Sequence, residues 1–497
     1  MSRLTQQLFL AITLAAATSC GRTPKQPNVL FITIDTLRAD RLVTHMPHVA
    51  QLEGASRVDA AIAPRAKTSP SIATLLTGLP PHEHGVRDLL SPLPDKVPLL
   101  QEQLQQHGWR TGAIIGNWVL KDEHSGLARG FDVWCEDLPQ VTGVPPHDAP
   151  QRTATSLVDG ALATLGLGQA PKDAGPRSVL VQDDAPWFLW LHFMDPHGAY
   201  EPPHEHRRAP AAAQWISSAA DTSQPERYVA DYNVPAEARD ATGRIDAAAV
   251  QALYDGEVRY VDAQLARLFA ALAAHDLLDS TVIVITSDHG ESLGEQDYWF
   301  EHGRNASEAT VKVPLIVRLP AQSAWQPQLT KVAGEARLAD VTPTLLEWLA
   351  LPPLASLGAR VDVGQSLASA WRAGAIPVQP IACEKVERAG LTGAVQTKVV
   401  RVWPWRLERR LARDAQGNLR GLSESLYNLA EDPSCARDLL AQADQAGAPL
   451  AELRAELDSR VRADAGLSEL GDELERRRLE LLRKRPADAR TIEALGY

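Results

Sequence analysis

The chain has 497 residues, 44% hydrophobic and 23% charged, so it is globular and long enough for one large core plus a smaller appendage. Its formal net charge of -12 argues against a nucleic-acid partner, because binding to a phosphate backbone needs a basic face. Small anionic substrates stay open, since a bound cation reverses the local field.

The amino terminus reads as a targeting segment. Arg3 gives a positive start, and residues 8–17 form an apolar stretch too short to span a bilayer. The small residues Ala17, Thr18 and Ser19 then lead into Cys20 and Gly21. This is similar to a bacterial lipoprotein signal over residues 1–20, with a plain secretory signal as the alternative. Cys20 would carry the lipid, residues 21–27 would be a tether, and the protein would face the periplasm or exterior of a bacterial envelope. Cys135, Cys383 and Cys435 remain, with no C-x-x-C pairing, and they read as buried small apolar residues rather than a zinc site.

Asn28–Ile34 is an unbroken apolar and β-branched run, the pattern of a strand buried on both faces, and it ends at Asp35. A carboxylate there sits where open α/β sheets place ligands, or else caps the next helix. Thr68-Ser69-Pro70-Ser71 opens a helix through Gly78, with a hydroxyl close to unpaired N–H groups and the positive end of the dipole. His82 and His84 fall in a Pro/Gly-rich surface turn and read as structural. A helix over 99–107 and a strand over 109–115 follow, the latter ending at Gly116-Asn117-Trp118. Asn117 there either donates to an oxyanion or closes the turn.

Residues 139–185 read as loops around one helix near 154–165. The strand Trp187–Phe193 runs into Met194-Asp195-Pro196-His197, which puts His192 and His197 on the same ligand-binding rim. Residues 202–242 read as an insertion flanking the site. Ala247–Ala274 has helical periodicity, with Tyr254 and Val258 on its apolar face and Asp255, Glu257 and Asp262 as solvated or edge contacts. Thr281–Thr286 is the clearest buried strand and ends at Ser287-Asp288-His289-Gly290. Adjacent Asp and His at a strand terminus suit two ligands on one cation. His302 follows in a loop, then a strand over 313–319 and a helix over 340–349.

Alternating strands and helices predict an α/β fold with a doubly wound, mostly parallel sheet over 28–365. Beyond about 365 the pattern changes. Strand-like pieces at 377–383, 395–407 and 425–429 and helical patterns over 439–485 predict a smaller C-terminal subdomain over 366–497, antiparallel sheet plus helices. The basic residues 476–485 read as a solvated helix face.

Together these segments resemble the sulfatase family of the alkaline-phosphatase superfamily. The resemblance rests on Asn28 through Asp40, Pro70 through Gly78, Gly130-Phe131-Asp132, Asp195-Pro196-His197, Tyr254-Asp255 through Asp262, Ser287 through Gly290, Val313-Pro314-Leu315, Asp340 through Thr344, and Leu426-Tyr427-Asn428-Leu429. It implies an alkaline-phosphatase-like fold and hydrolysis of an anionic ester. The letters that carry sulfatase chemistry differ. The family's C-x-P-S-R or S-x-P-S-R has Thr68 at the residue oxidised to formylglycine and Ile72 at the Arg. A secondary alcohol cannot yield that aldehyde, so no formylglycine is expected. Asn117 stands for the Lys of the family's G-K-W-H segment, Val119 for its His, and Thr36 for the second Asp of the first motif.

Thr as nucleophile is what related phosphodiesterases and headgroup phosphotransferases use. The resemblance therefore implies one divalent cation held by Asp35, Asp288, His289 and Thr68, with Mn²⁺ or Zn²⁺ favoured over Ca²⁺ because one ligand is an imidazole. Thr68 attacks phosphorus, Asn117 stabilises the equatorial oxygens, and His197 and His302 grip the phosphoryl group or protonate the leaving group. Sulfate-ester hydrolysis without formylglycine, an envelope headgroup transferase and an inactive binding protein of the same fold are the alternatives. A second metal on Asp195, His197 and His302 is the less favoured arrangement.

Overall fold

The computed structural model describes residues 26–138, 151–168, 180–181, 184–218, 227–327, 329–355, 362–389, 393–413 and 419–464. The signal and tether expected over 1–27 lie outside the described residues apart from Gln26 and Pro27, and the basic segment at 476–485 lies wholly outside them. Among the described residues no helix is long and apolar enough to cross a membrane.

The central sheet has nine strands: β1 (Asn28–Ile34), β2 (Ala55–Ile62), β3 (Arg110–Ile115), β4 (Val133–Cys135), β5 (Trp187–Phe193), β6 (Thr281–Thr286), β7 (Lys312–Val313), β8 (Leu315–Arg318) and β9 (Lys331–Arg337). Their order is β7-β2-β8-β6-β1-β5-β3-β4, with β9 paired to β2. The run from β6 through β1, β5, β3 and β4 is parallel, and β8 is antiparallel to both its neighbours. This is the doubly wound, mostly parallel sheet that the alternation predicts.

Both faces of the sheet are covered, which is why β1, β5 and β6 are apolar at nearly every position. Val29 and Phe31 of β1 and Phe188 and Trp190 of β5 pack on one side with α1 (Thr68–Thr77), α2 (Leu100–Gln106) and, later in the chain, the helix Val341–Trp348. Leu30, Ile32 and Ile34 pack on the other with α3 (Ala154–Thr164) and α4 (Ala247–Ala274). Alternate residues of one strand thus serve two cores.

The C-terminal part is a four-stranded antiparallel sheet, β10 (Ile381–Ala389), β11 (Gly393–Val402), β12 (Trp405–Arg413) and β13 (Leu419–Asn428), in sequential order. A helix at Leu450–Ala463 lays Leu453 and Leu457 on Val400, Leu407 and Leu426. Ile381, Cys383 and Val399 pack on Ala60 and Ile62 of β2, joining this sheet to the central one.

Four expectations change. The run over 395–407 is two strands, because Trp403-Pro404 makes a hairpin turn that pairs Val402 with Trp405. The strand expected at 377–383 starts at Ile381, after Pro377 and Pro380, which cannot donate to a ladder. Pro314 likewise divides the strand over 313–319 into β7 and β8. Glu257 and Asp262 are not solvated: they are 4% and 2% exposed. Asp262 accepts the backbone N–H of His48 and Val49 and so caps a short helix from beneath.

Candidate active site

Parallel pairing fixes where the chemistry-bearing residues fall. Thr33 of β1 is in register with His192 of β5 and with Thr286 of β6, so the tips of three central strands end side by side. Asp35, His192, Asp288 and His289 emerge there, and all four are fully buried. α1 begins at the same edge, with Thr68 as its first residue and Lys67 as N-cap.

Asp35, Asp288 and His289 each offer one ligand atom, and these lie within 4.8 Å of one another. Thr68 Oγ1 is 3.4 Å from both Asp35 Oδ2 and His289 Nε2. Asp35 Oδ1 and Asp288 Oδ2 are buried with no hydrogen-bond partner. Two orphaned carboxylate oxygens facing each other beside an imidazole nitrogen are costly unless something positive lies between them. The donor set therefore fits a divalent cation, and among the described residues no other group of His, Cys, Asp or Glu does so.

The electrostatics agree. Burial pushes the Asp288 carboxyl up, and the nearby Asp35 charge adds to the shift. Burial also acts against ionised Asp35, but the His192 imidazole 3.4 Å from its Oδ2 and the charges of His197 and His289 outweigh it and hold its carboxyl well below the usual range. Burial and mutual repulsion thus make two charges on this pair costly, and the penalty falls on Asp288.

Beside this cluster stand two more imidazoles. The His302 ring lies 4.4 Å from His289 and 5.0 Å from His197, centroid to centroid. His197 Nδ1 faces its neighbour's carbonyl, Gly198 O, at 2.8 Å, which makes Nδ1 the donor and leaves Nε2 for another partner. His302 Nδ1 is 3.2 Å from Glu291 Oε1, and Tyr200 O–H donates to Glu291 Oε2 at 3.0 Å. Burial pushes Glu291 and Glu301 up to about 7 each, and pushes His302 well below the ordinary histidine value, helped by the charges of His289 and His197. His197 is raised instead: burial opposes its charge, but Asp35 and Glu291 prevail. The result is two imidazoles side by side with opposite proton affinities.

Asn117 Nδ2 donates to Asp35 Oδ2 at 2.6 Å, and its Oδ1 accepts the Val119 N–H. It closes its turn and touches the cluster at once, joining the two roles its position leaves open. Ile72 is buried in the core, so nothing on that turn of α1 replaces the family's Arg. Asp195 points away: its Oδ2 accepts the Ala154 N–H at the start of α3, so the alternative second-metal set does not assemble.

Sequence reasoning places Asp35, Thr68, Asn117, His197, Asp288, His289 and His302 in this one region. It gives no role to Glu301, nor to Ser287, Tyr200 and Glu291, whose parts depend on partners far along the chain. His192 had a signal, as a polar residue ending an apolar strand.

A carboxylate–imidazole cluster at the carboxyl edge of a doubly wound sheet, with a helix-borne hydroxyl over it, defines the class of alkaline-phosphatase-like folds. The sulfatase family profile matches residues 27–351, more than half of the chain, and the chain belongs to the sulfatase family. Among its relatives is a multifunctional alkaline phosphatase superfamily protein, PehA, of Trinickia caryophylli. It is 30% identical over 251 residues, 47% of this chain and 46% of the relative. A choline-sulfatase of Rhizobium meliloti is 24% identical over 367 residues, 65% of this chain and 68% of that one. The match thus spans about half to two thirds of these relatives. The crystal structure of a phosphonate monoester hydrolase of Agrobacterium radiobacter superposes with a TM-score of 0.64 at 23% identity, covering 88% of this chain and 96% of that one. A structure in complex with its substrate D-glucosamine-2-N,6-O-disulfate gives 0.64 at 19%, covering 89% and 99%. At such identities these likenesses establish the fold alone.

Proposed function

We propose that the protein is an exported, metal-dependent hydrolase of a phosphate mono- or diester that uses Thr68 as its nucleophile. The observation that carries this reading is the place of Thr68 Oγ1, 3.4 Å from Asp35 Oδ2 and from His289 Nε2, at the first turn of α1. Asp35, Asp288, His289 and Thr68 would hold one divalent ion, Mn²⁺ or Zn²⁺ in preference to Ca²⁺ on the strength of the imidazole ligand. When bound, the ion supplies positive charge that favours the alkoxide form of a hydroxyl and an anionic substrate.

The chain's own groups account for the remaining steps. As the Thr68 oxygen attacks phosphorus in line, its proton passes to Asp35 Oδ2, the acceptor it already faces. The bond from phosphorus to the ester oxygen breaks, and His197, the imidazole with the raised proton affinity, gives its proton to the leaving oxygen. Water then attacks the phosphorylated Thr68, the now neutral His197 takes the water's proton, and Thr68 recovers its own from Asp35 as phosphate, or a phosphate monoester, leaves. Asn117 has a second N–H on Nδ2 beyond the one given to Asp35, and that hydrogen is free to meet an equatorial oxygen. His302 sits beside His197 and His289, neutral, as an acceptor for the O–H of the attacking water.

The relatives' names favour a second reading, hydrolysis of a sulfate ester without formylglycine. Thr at position 68 supports phosphorus over sulfur, because it stands where the family's motif has the residue oxidised to formylglycine and cannot itself yield that aldehyde. On the side of location, Cys20 as a lipidated residue would tether the chain to a bacterial envelope membrane, and the catalytic part would occupy residues 28–365. The test is turnover of paired aryl phosphate, aryl phosphodiester and aryl sulfate substrates with Mn²⁺ or Zn²⁺, in the wild type and in Thr68→Ala. Phosphorus-ester turnover lost in the variant supports the proposal, and sulfate preference retained in the variant defeats it.

A further inference from the structure

The turn that presents Asp35 is strained. Thr36 has φ of +54°, in the left-handed region, where a β-branched side chain is a true outlier. Glycine would take that conformation freely, yet Thr stands there, fully buried, with its Oγ1 unpartnered. Such a conformation persists only when surrounding bonds over-determine it.

Those bonds come from one side chain above all. Tyr254, in the N-terminal third of α4, donates its O–H to Thr36 O at 2.8 Å and accepts the Arg38 N–H at 3.2 Å. The same phenol oxygen therefore pins the two ends of the turn through both its donor and its acceptor capacity. Held this way, the Thr36 N–H donates to Asp288 Oδ1 at 3.3 Å. Asp288 Oδ2, the oxygen left over, faces the cluster without a partner. Leu37 N–H completes the stitch by donating to Ser287 Oγ at 3.0 Å, and that hydroxyl donates to His289 O at 2.5 Å.

We infer that Tyr254 is a positioning residue for the cation site. Its hydroxyl holds the strained Thr36 turn, and that turn orients the carboxylates of both Asp35 and Asp288 before any ion binds. Tyr254 touches no ligand atom itself. Its ring packs in the core against Tyr200, edge to face at 5.7 Å, so deleting only the hydroxyl leaves that packing in place. This inference rests on the cation reading of Asp35, Asp288 and His289, and deepens it.

The experiment measures Mn²⁺ and Zn²⁺ binding by calorimetry to the wild type, Tyr254→Phe, Thr36→Gly and the double variant. Loss of a group that orients metal ligands weakens binding tenfold or more. Tyr254→Phe is expected to lose that much affinity with its circular dichroism unchanged. In the Thr36→Gly background the same change is expected to cost under threefold, because glycine adopts the turn unaided. Equal affinity in the wild type and Tyr254→Phe, or the same loss in both backgrounds, overturns the positioning role and leaves the cation site standing. A wild type that binds neither ion overturns the cation reading and this inference with it. Should Tyr254→Phe fail to fold, Thr36→Gly alone decides: it is expected to bind at least as tightly as the wild type, and weaker binding contradicts the inference.

Discussion

Asn117 Nδ2 donates to Asp35 Oδ2 across 2.6 Å, a charge-assisted bond between two buried side chains from neighbouring loops. The bond restrains the carboxylate that also faces Thr68 and His192. Removal in Asn117→Ala therefore loosens Asp35 and takes away the donor assigned to the equatorial oxygens. An oxyanion-type donor accounts for about 10²–10³ in kcat. Steady-state kinetics should show a fall of that order in kcat with KM little changed. A rise in KM alone would assign Asn117 to substrate binding instead.

Asp35 and Asp288 confront each other with one unpartnered oxygen apiece, so the cation-free protein carries repulsion that Asn in place of one Asp removes. Asp288→Asn keeps Oδ1 for the Thr36 and His289 N–H groups and deletes the charge. Its Tm without metal is expected to rise by about 1 °C, the effect of ~1 kcal/mol on a chain of this length. The upward Tm shift that Mn²⁺ or Zn²⁺ gives the wild type through linkage should vanish. A variant less stable than the wild type in EDTA would show that the two carboxylates do not repel.

Glu257 is buried in α4 with Oε2 unpartnered, and burial, reinforced by the Asp195 charge, pushes its carboxyl up to about 9. Between its unfolded value near 4.5 and about 9, the folded state keeps a proton that the unfolded chain has released. Stability from this group is full below the unfolded value and declines as pH rises, by up to about 1.4 kcal/mol per pH unit. Glu257→Gln mimics the protonated form, so its stability gain over the wild type should grow from pH 5 to pH 8. Denaturant titrations at the two pH values read this directly, and a gain independent of pH would contradict it.

At the junction of the two sheets, Lys398 pairs with Glu384 and Asp464, and Arg87 pairs with the same two carboxylates, all buried. Burial opposes the ionised Glu384, but Lys398 and Arg87 outweigh it and hold its carboxyl low. Lys398→Met leaves two carboxylates on one guanidinium, a loss of about 3–5 kcal/mol for a broken buried network. The depressed Glu384 stabilises above its unfolded value, and that contribution is lost as pH falls below it. Urea unfolding should show Lys398→Met destabilised most at pH 7 and closest to the wild type in acid.

The sheet was legible because its strands are buried on both faces. Asn28–Ile34, Trp187–Phe193 and Thr281–Thr286 read as apolar runs and occupy those bounds. The ligand positions followed, since Asp35 and Asp288 end such runs. Less legible was everything decided by partners distant in sequence. Tyr254 is spaced like any core residue of α4, and only the fold brings its hydroxyl to Thr36 O, 218 residues away. Glu257 follows the polar spacing of an exposed face, yet the segment 202–206 covers it, with Pro202 packed against Gly256. The hairpin at Trp403-Pro404 was hidden because apolar residues continue on both sides of its turn.

The central claim, that Thr68 attacks phosphorus, is tested most directly by trapping the covalent intermediate. Enzyme quenched in acid during turnover of an aryl phosphodiester with Mn²⁺ should carry a phosphoryl ester on the peptide containing Thr68, seen by mass spectrometry. Thr68→Ser should still form it and Thr68→Ala should not. An unmodified Thr68 peptide under steady turnover, or undiminished turnover in Thr68→Ala, would contradict the account.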